Sequence, residues 1–112
     1  MTTPQKRKGS QWERDVTNFL SDYFPAIERR QAGSQHDRGD LQGVPFTVLE
    51  CKDHKSWRIG EWLDRLAEQM ENAKAFRGAV IIKRPRRQVS DAVVVMPLVL
   101  FAQLLKEATD AQ

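Results

Sequence analysis

Apolar residues recur with the period of an α-helix in three segments of the chain. The first segment predicts a helix that begins at Ser10 and ends near Tyr23, before Pro25. Ser10 and Glu13 have the spacing of a capping box, in which each side chain bonds the backbone N–H of the other residue. The apolar stripe of this helix consists of Trp12, Val16, Phe19, Leu20 and Tyr23.

Two further helices follow from the same periodicity. The second extends from about Ile59 to Phe76, and Gly78 stops it. Pro97 suits the first turn of the third helix, because proline loses no intrahelical hydrogen bond at that position. The tail from about Ala108 is expected to fray. The apolar side of this last helix consists of Leu100, Phe101, Leu104 and Leu105.

Strands are expected between the helices. Residues 26–32 are polar for a strand and predict an edge position, whereas the continuous apolar runs 79–82 and 92–96 are typical of buried strands. Residues 40–52 predict a hairpin that turns at Gly43-Val44-Pro45. The order of elements is therefore α-β-β-β-α-β-β-α, which predicts one α/β domain with a mixed central β-sheet flanked by helices on both faces.

Length and composition are typical of one small globular domain. The 112 residues are 40% hydrophobic and 29% charged, and no apolar run approaches the ~18 residues of a membrane span. The single cysteine excludes an internal disulfide, so we expect an intracellular, cytoplasmic protein. We expect a flexible basic arm at residues 1–9, a folded domain at 10–107 and a frayed tail at 108–112.

Positive charge is clustered in or beside the predicted loops. The net charge is +3 and the isoelectric point is about 9.3, which alone is compatible with an ordinary solvated surface. The clusters also suit contacts with nucleic-acid phosphates, which give affinity without sequence information. The candidate phosphate contacts are Lys6, Arg7, Lys8, Arg29, Arg30, Lys83, Arg84, Arg86 and Arg87.

The predicted hairpin brings charged residues to the end of an otherwise apolar strand. Asp40 starts its first strand and Glu50 lies near the end of the second, so their carboxylates are expected at the same end. Side chains alternate along a strand, so Lys52 points to the face of Glu50 and Cys51 to the opposite face. Acids are costly to bury unless they are paired or bind a metal. The alternative is a surface ion pair between Glu50 and Lys52, with Asp40 as a turn residue.

These groups together have the chemistry of a site for a hard cation. Asp40 and Glu50, with the backbone carbonyl of Cys51, offer the oxygen ligands that Mg²⁺ prefers. A metal held there lowers the pKa of a bound water and stabilises charge on a phosphate under attack. Lys52 is placed to orient that water or to neutralise the developing charge. The pattern therefore predicts phosphodiester hydrolysis with Mg²⁺, for which we expect Mn²⁺ to substitute.

The Asp40…Glu50-Cys51-Lys52 pattern resembles the signature of the PD-(D/E)XK nuclease superfamily. Residues 7–15 resemble the start of Holliday-junction resolvases of the archaeal type and of their phage-encoded relatives. The likeness covers roughly residues 7–83. It implies a restriction-endonuclease-like fold and a homodimeric enzyme that resolves four-way DNA junctions, in the host cytoplasm if the protein is phage-encoded.

The resemblance also implies roles for residues outside the hairpin. A glutamate of the first helix joins the metal site in those enzymes and corresponds here to Glu13, whose alternative role is capping. A glutamine on the helix after the Glu-x-Lys strand corresponds to Gln69, which either orients water or flanks the apolar stripe. The loop at residues 32–34 is also similar. Ser34 is therefore expected to contact the scissile strand, and His36 is a candidate for the same contact.

Two departures from the family pattern leave alternatives open. Gly39 stands where the signature has proline, and the hairpin is shorter than in the archaeal enzymes, so Asp37 is a second candidate for the aspartate ligand. The signature also fits another endonuclease of the superfamily, acting on flaps, nicking DNA or serving repair, or a DNA-binding protein of the same fold that does not cut. We expect no organic cofactor and no membrane partner. The apolar residues 93–105 are candidates for the dimer surface.

Overall fold

The elements of the fold follow one another in the order that the hydrophobic pattern predicts. The structure is a computed structural model and describes residues 3–31 and 36–112. Within these ranges, a 3-10 turn at Val89–Asp91 is added to the predicted series. The helices and strands in chain order are α1 (Pro4–Leu20), β1 (Glu28–Arg29), β2 (Leu41–Gln42), β3 (Thr47–Lys52), α2 (Ile59–Ala73), β4 (Arg77–Ile82), β5 (Val93–Val95) and α3 (Leu98–Asp110).

The first helix, α1, begins well before Ser10. Thr3 is its N-cap, because the Thr3 Oγ1 accepts a hydrogen bond from a backbone N–H one turn later at 3.1 Å, and Pro4 occupies the first helical position. The predicted capping box was therefore wrong, and α1 includes residues 4–9 of the expected basic arm. Residues 4–9 are helical because the Thr-Pro pair starts the helix earlier than the second candidate cap does. Glu13 is consequently an interior helix residue and has no capping role.

The sheet is mixed, as predicted, and its strand order is β1-β2-β3-β4-β5. β3 and β4 are parallel, with Glu50 opposite Val80, and the other neighbouring strands are antiparallel. β1 lies at one edge, which confirms the prediction from its polar sequence. β5 lies at the other edge, so its predicted burial was wrong. Val94 is 54% exposed, because β5 has a neighbouring strand on one side only. A run of valines does not indicate whether a strand lies at the edge or in the centre of a sheet.

Two apolar clusters pack on opposite faces of the sheet. α1 covers one face, where Trp12 and Val16 are buried and the Trp12 Nε1–H donates to the carbonyl of Ile81 at 3.1 Å. α2 covers the other face with Trp62 and Leu66. This arrangement confirms the predicted α/β class with helices on both faces. It also places a helix on each side of the strand ends that carry the charged residues.

The hairpin between β2 and β3 depends on a glycine. Gly43 has a φ of +103°, and a Cβ at this position would lie 2.1 Å from the carbonyl oxygen of Ala26. The turn continues to Phe46, whose φ is +55°, so β3 begins at Thr47. The Phe46 ring stacks on Phe76, with ring centroids 5.0 Å apart. This contact fixes the start of β3 against the start of β4.

The last two helices end at positions that the pattern did not indicate. α2 ends at Ala73, because its C-cap Lys74 has the left-handed φ of +52° and stops the helix before Gly78. α3 continues to Asp110, beyond Ala108, where the tail was expected to begin. An ion pair between Lys106 and Asp110, at 3.1 Å, supports this last turn.

α3 exposes most of its apolar side. Among the described residues, no member of α3 belongs to either apolar cluster, and an ion pair between Arg77 and Glu107, at 2.9 Å, ties the helix to β4. In the part of the chain that the structure describes, no helix has the length and apolar content needed to cross a membrane. The exposed large apolar side chains of β5 and α3 are Val94, Leu98, Val99, Phe101, Leu104 and Leu105.

Candidate functional site

Carboxylates from three separate segments meet beside the ends of β3 and β4. They are Glu13 from α1, Asp40 from the residues just before β2, and Glu50 from β3. All three line one cavity of about 630 Å³, together with Cys51 and Lys52. The antiparallel register of β2 and β3 brings the two hairpin acids to the same end, as the sequence predicts.

Asp40 is fixed by backbone contacts. Its Oδ2 accepts the N–H of Cys51 at 2.8 Å, and its own N–H donates to the carbonyl of Leu49 at 3.0 Å. Gly39 precedes it with a φ of +92°, and a Cβ there would lie 2.8 Å from Val48 Cγ1. Proline, whose φ is fixed at about −65°, cannot adopt this conformation. The glycine at this position therefore follows from the close approach of the segment to β3.

The carboxyl groups of Asp40 and Glu50 form a coupled pair. Burial, and then a hydrogen bond and the negative charge of Glu50, raise the pKa of Asp40 to about 8. The N–H of Cys51 and the charge of Lys52 lower the pKa of Asp40, but by less than burial and Glu50 raise it. At neutral pH Asp40 is therefore largely protonated and donates to Glu50. A bound divalent cation favours release of this proton, because it stabilises both groups as carboxylates.

Glu50 is 5% exposed, and a buried glutamine holds it in place. The Gln69 Nε2 donates to Glu50 Oε2 and also to Asp37 Oδ2, the latter at 2.9 Å. Gln69 is fully buried, so it is not a plain residue at the flank of the apolar stripe. Its side chain lies beside the carboxylate of Glu50. A role in orienting water stays a prediction.

Glu13 is the third carboxylate of the site and has a basic partner. The Arg29 Nε donates to Glu13 Oε1 at 3.2 Å. Burial, and then the charge of Asp40, raise the pKa of Glu13, while Arg29 and Arg14 lower it. The two carboxyl groups therefore share one electrostatic environment. Arg29 was predicted as a phosphate contact and is, in this structure, the counter-ion of Glu13.

Lys52 and Cys51 point to opposite faces of β3, as strand alternation predicts. The Lys52 Nζ lies 5.7 Å from the centre of the Trp62 ring, in a cation–π contact on the α2 face. Cys51 is buried in the cluster on the α1 face, beside Trp12. Burial, and then the neighbouring carboxylates, raise the pKa of the Cys51 thiol, so a thiolate does not form at neutral pH. The Cys51 carbonyl oxygen is then the group of this residue that suits a hard cation.

Asp37, the second candidate for the aspartate ligand, lines the same cavity, and its carboxylate is bound by Arg65 and Gln69. Arg65 donates to Asp37 Oδ2 from Nε at 3.1 Å and from Nη2 at 2.8 Å. Burial acts to raise the pKa of Asp37, but hydrogen bonds from Gln69, from a backbone N–H and from Arg65 outweigh it and lower that pKa. Gln69 lies between Asp37 and the Asp40–Glu50 pair. The structure therefore favours Asp40 for the ligand role.

Basic side chains form part of the cavity wall. Lys8 and Lys83 approach the carboxylate of Asp53 from α1 and from the end of β4, at 3.8 Å and 3.9 Å. Arg38 and Arg65 were not predicted at the site. Arg65 could have been recognised because it precedes Gln69 by one helical turn and therefore lies on the same face of α2. The lysine and arginine residues that line the cavity are Lys8, Arg29, Arg30, Arg38, Lys52 and Arg65.

Within the part of the chain that the structure describes, the other predicted phosphate contacts do not line this cavity. Lys6 and Arg7 are exposed in the first turn of α1. His36 is exposed and lies next to the segment that leads to β2. Ser34 lies outside the described residues. The loop after β4 carries Arg84, Arg86 and Arg87.

The donor types of the site, though not their arrangement in this structure, suit a hard divalent cation. Three carboxylates and the Cys51 carbonyl offer oxygen ligands, which suit Mg²⁺ and Mn²⁺ better than softer metals. Within residues 3–31 and 36–112, no group of three or more His, Cys, Asp or Glu side chains is arranged to hold a metal ion. The proton on Asp40 and the guanidinium of Arg29 instead neutralise the acids. A cation would compete with both.

The chain has no significant match to a protein-family model, to a curated protein or to a solved structure. What the site does must therefore be argued from its own groups. These are the Asp40–Glu50 carboxyl pair, a third carboxylate, a lysine on the same strand and a basic cavity wall.

Proposed function

We propose that the protein is a metal-dependent endodeoxyribonuclease of the restriction-endonuclease-like fold, and that it resolves four-way DNA junctions. The observation that carries this proposal is the pairing of Asp40 with the buried Glu50 in a cavity that Lys52 also lines. Two acids held this close repel each other as carboxylates unless a cation binds them. The basic wall beside the pair suits a substrate with phosphate groups.

The residues of the chain supply the parts that phosphodiester hydrolysis needs. Asp40, Glu50 and Glu13, with the carbonyl of Cys51, would hold Mg²⁺, which activates water and stabilises charge at the phosphate when bound. Lys52 lies on the same face as Glu50 and donates its N–H groups to the attacking water or to the developing negative charge. Its cation–π contact with the tryptophan of α2 limits the positions that the ammonium group adopts.

DNA is the substrate class that the charge distribution favours. Lys8 and Arg30 line the cavity, and Lys83 lies next to Lys8 across the carboxylate of Asp53. A nucleic-acid backbone that follows this wall meets several cations in succession. Contacts of this kind position a duplex without reading its bases, which suits an enzyme that recognises the shape of a branch.

A second copy of the chain is the partner that we propose for the exposed side of α3. A four-way junction is resolved by paired nicks in two symmetric strands, which a two-fold dimer provides. Each of the six exposed apolar side chains of β5 and α3 offers on the order of 100 Å² of accessible surface. Their summed area approaches the ~800 Å² that each partner buries in a standard interface. The charges on α3 have both signs, with Lys106 beside Glu107. The helix therefore lacks the basic face that a DNA or membrane surface attracts.

A panel of substrates tests the proposed function. The purified protein is incubated with end-labelled four-way junction, flap and linear duplex, either with Mg²⁺ or with EDTA. We expect paired symmetric nicks in the junction that depend on Mg²⁺, and much slower cleavage of the other two substrates. Cleavage of flap or duplex in preference to the junction would indicate another nuclease activity at the same site. No cleavage of any substrate with Mg²⁺ or Mn²⁺ would contradict the proposal.

A further inference from the structure

One face of α2 converges on a single residue of the loop before β2. Arg65, Gln69 and Asn72 lie about one helical turn apart along that face, and all three donate hydrogen bonds to Asp37. Arg65 and Gln69 contact the Asp37 carboxylate, whereas the Asn72 Nδ2 donates to the Asp37 backbone carbonyl at 2.8 Å. Both the side chain and the main chain of Asp37 are therefore held by the same helix.

The hydrogen bonds continue from Asp37 to the carboxyl pair through Gln69. The Gln69 Nε2 donates to Asp37 Oδ2 at 2.9 Å and to Glu50 Oε2. Because both acceptors are carboxyl oxygens, only one orientation of the amide satisfies them. In that orientation the buried Gln69 Oε1 has no hydrogen-bond partner among the described residues. An unpaired buried oxygen costs stability, so the bridge between the two acids is not explained by stability alone.

Asp37 also restrains the backbone that carries Asp40. The Gly39 N–H donates to Asp37 Oδ1 at 3.0 Å. The next N–H along the chain, that of Asp40, donates to the carbonyl of Leu49 at 3.0 Å. The segment from Asp37 to Asp40 is thus attached to α2 at one end and to β3 at the other. Asp37 is connected to one acid of the pair through Gln69 and to the other through the main chain.

We propose that Asp37 is a positioning residue, which aligns Glu50 and Asp40 for a divalent cation without touching that cation. This inference rests on the proposed function, because alignment matters only if the pair binds a metal. The ion pair with Arg65 joins side chains that are 60% and 40% exposed, and such pairs contribute little. The hydrogen bond between Asp37 and the buried Gln69 is therefore the contact that transmits the effect.

Binding of Mn²⁺ to the protein without DNA, measured by titration calorimetry, tests this proposal separately from catalysis. Removing a group that orients a metal ligand lowers metal affinity by about 10- to 100-fold. We expect a loss of this size in Asp37→Ala and in Gln69→Ala. The double variant should bind no more weakly than Asp37→Ala, because Asp37→Ala already breaks the connection through Gln69. Asp64→Ala, at an exposed position of the same helix, is the matched control and should bind as the wild type does.

The outcomes distinguish a positioning role from a structural one. In one outcome, Asp37→Ala unfolds at a lower urea concentration than the wild type in EDTA, but binds Mn²⁺ as tightly as Asp64→Ala does. Asp37 would then have a structural role only, and the proposal would be overturned. Glu50→Gln provides the second comparison. If Glu50→Gln also leaves Mn²⁺ binding unchanged, the metal site is wrong and the proposed function fails with it. If Glu50→Gln abolishes binding while Asp37→Ala does not weaken it, only the role of Asp37 is wrong.

A conservative variant keeps the test decisive if Asp37→Ala does not fold. Asp37→Asn retains the size of the side chain but has one acceptor oxygen, which cannot serve both the Gly39 N–H and the donors on α2 as the carboxylate does. We expect Asp37→Asn to bind Mn²⁺ more weakly than the wild type does. In Ca²⁺, the protein concentration at which half of the four-way junction is bound should be the same for both proteins. Wild-type affinity for Mn²⁺ in Asp37→Asn would overturn the proposal.

Discussion

At the scale of single residues, the carboxyl pair gives the protein an unusual response to pH. The pKa of Asp40 rises from its ordinary value of 3.8 to about 8 in the fold, with burial as the largest cause. Between about pH 4 and about pH 8 the folded protein therefore holds a proton that the unfolded chain releases. The stability that this proton contributes is fully present below about pH 4 and is lost as the pH rises through about 8.

Without a divalent cation, the free energy of unfolding should therefore decrease from about pH 5 to about pH 8 and level off above that. Asp40→Asn should show a much shallower decrease, because its side chain has no proton to lose in this range. Urea unfolding in EDTA, followed by tryptophan fluorescence across the range, measures both proteins. An equally steep decrease in Asp40→Asn would show that another group titrates.

The residues of the site differ in how far the sequence reveals them. Asp40, Glu50 and Lys52 belong to one hairpin, so the alternation of a strand is enough to bring them to one end. Gln69 and Asp37 are separated by 32 residues, and their contact depends on how α2 packs on the sheet. A local pattern therefore indicates the acids and the lysine but not the residues that orient them.

At the scale of elements, the turn between β2 and β3 decides whether the two acids meet. The carbonyl of Ala26 lies where a Cβ on Gly43 would have to be, at 2.1 Å, and the φ of Gly43 is positive. Gly60, near the start of α2, is the opposite case, since a Cβ there meets nothing within 4 Å. The two glycines form a matched pair for a substitution by alanine.

Gly43→Ala should destabilise the fold by more than about 2 kcal/mol, because backbone atoms would have to move to remove the clash. Gly60→Ala should instead be stabilising by about 0.5–1 kcal/mol, because alanine loses less backbone entropy in a helix. Urea unfolding of both variants gives the two differences. Equal stabilities for the two variants would contradict this geometry of the turn.

Element order was predictable because the helical and strand periods decide it, whereas element ends depend on local competition. Ser10 and Glu13 match a capping box, but Thr3 and Pro4 start the same helix earlier. β5 reads as a buried strand because its valines are apolar on both faces. Its edge position follows from the strand order, which a single strand sequence does not contain.

For the whole molecule, the apolar side of α3 predicts self-association. Leu98 is 79% exposed and Phe101 is 51% exposed, and neither belongs to the clusters on the sheet. A charge introduced at either position should therefore leave the fold of the monomer intact. It should disrupt a dimer that buries this side, because an unpaired charge would be desolvated there.

Sedimentation velocity measures this prediction. The wild-type chain of 12.9 kDa should sediment as a dimer at micromolar concentration, and Phe101→Asp should sediment as a monomer with unchanged circular dichroism. Gln103→Glu introduces the same charge at a polar position of α3 and serves as the control, which should remain dimeric. A monomeric wild type, or a dimeric Phe101→Asp, would exclude this surface as the interface.

The central claim is that Asp40 and Glu50 form the metal site of a nuclease, and two matched variants test it most directly. Glu50→Gln removes a carboxylate from the buried pair, whereas Glu68→Gln makes the same change at an exposed position of α2. In single-turnover assays on a labelled four-way junction with Mg²⁺, Glu50→Gln should lose at least about 100-fold in rate. Glu68→Gln should cut as the wild type does, and both variants should bind the junction in Ca²⁺. Cleavage by Glu50→Gln at the wild-type rate would contradict the claim.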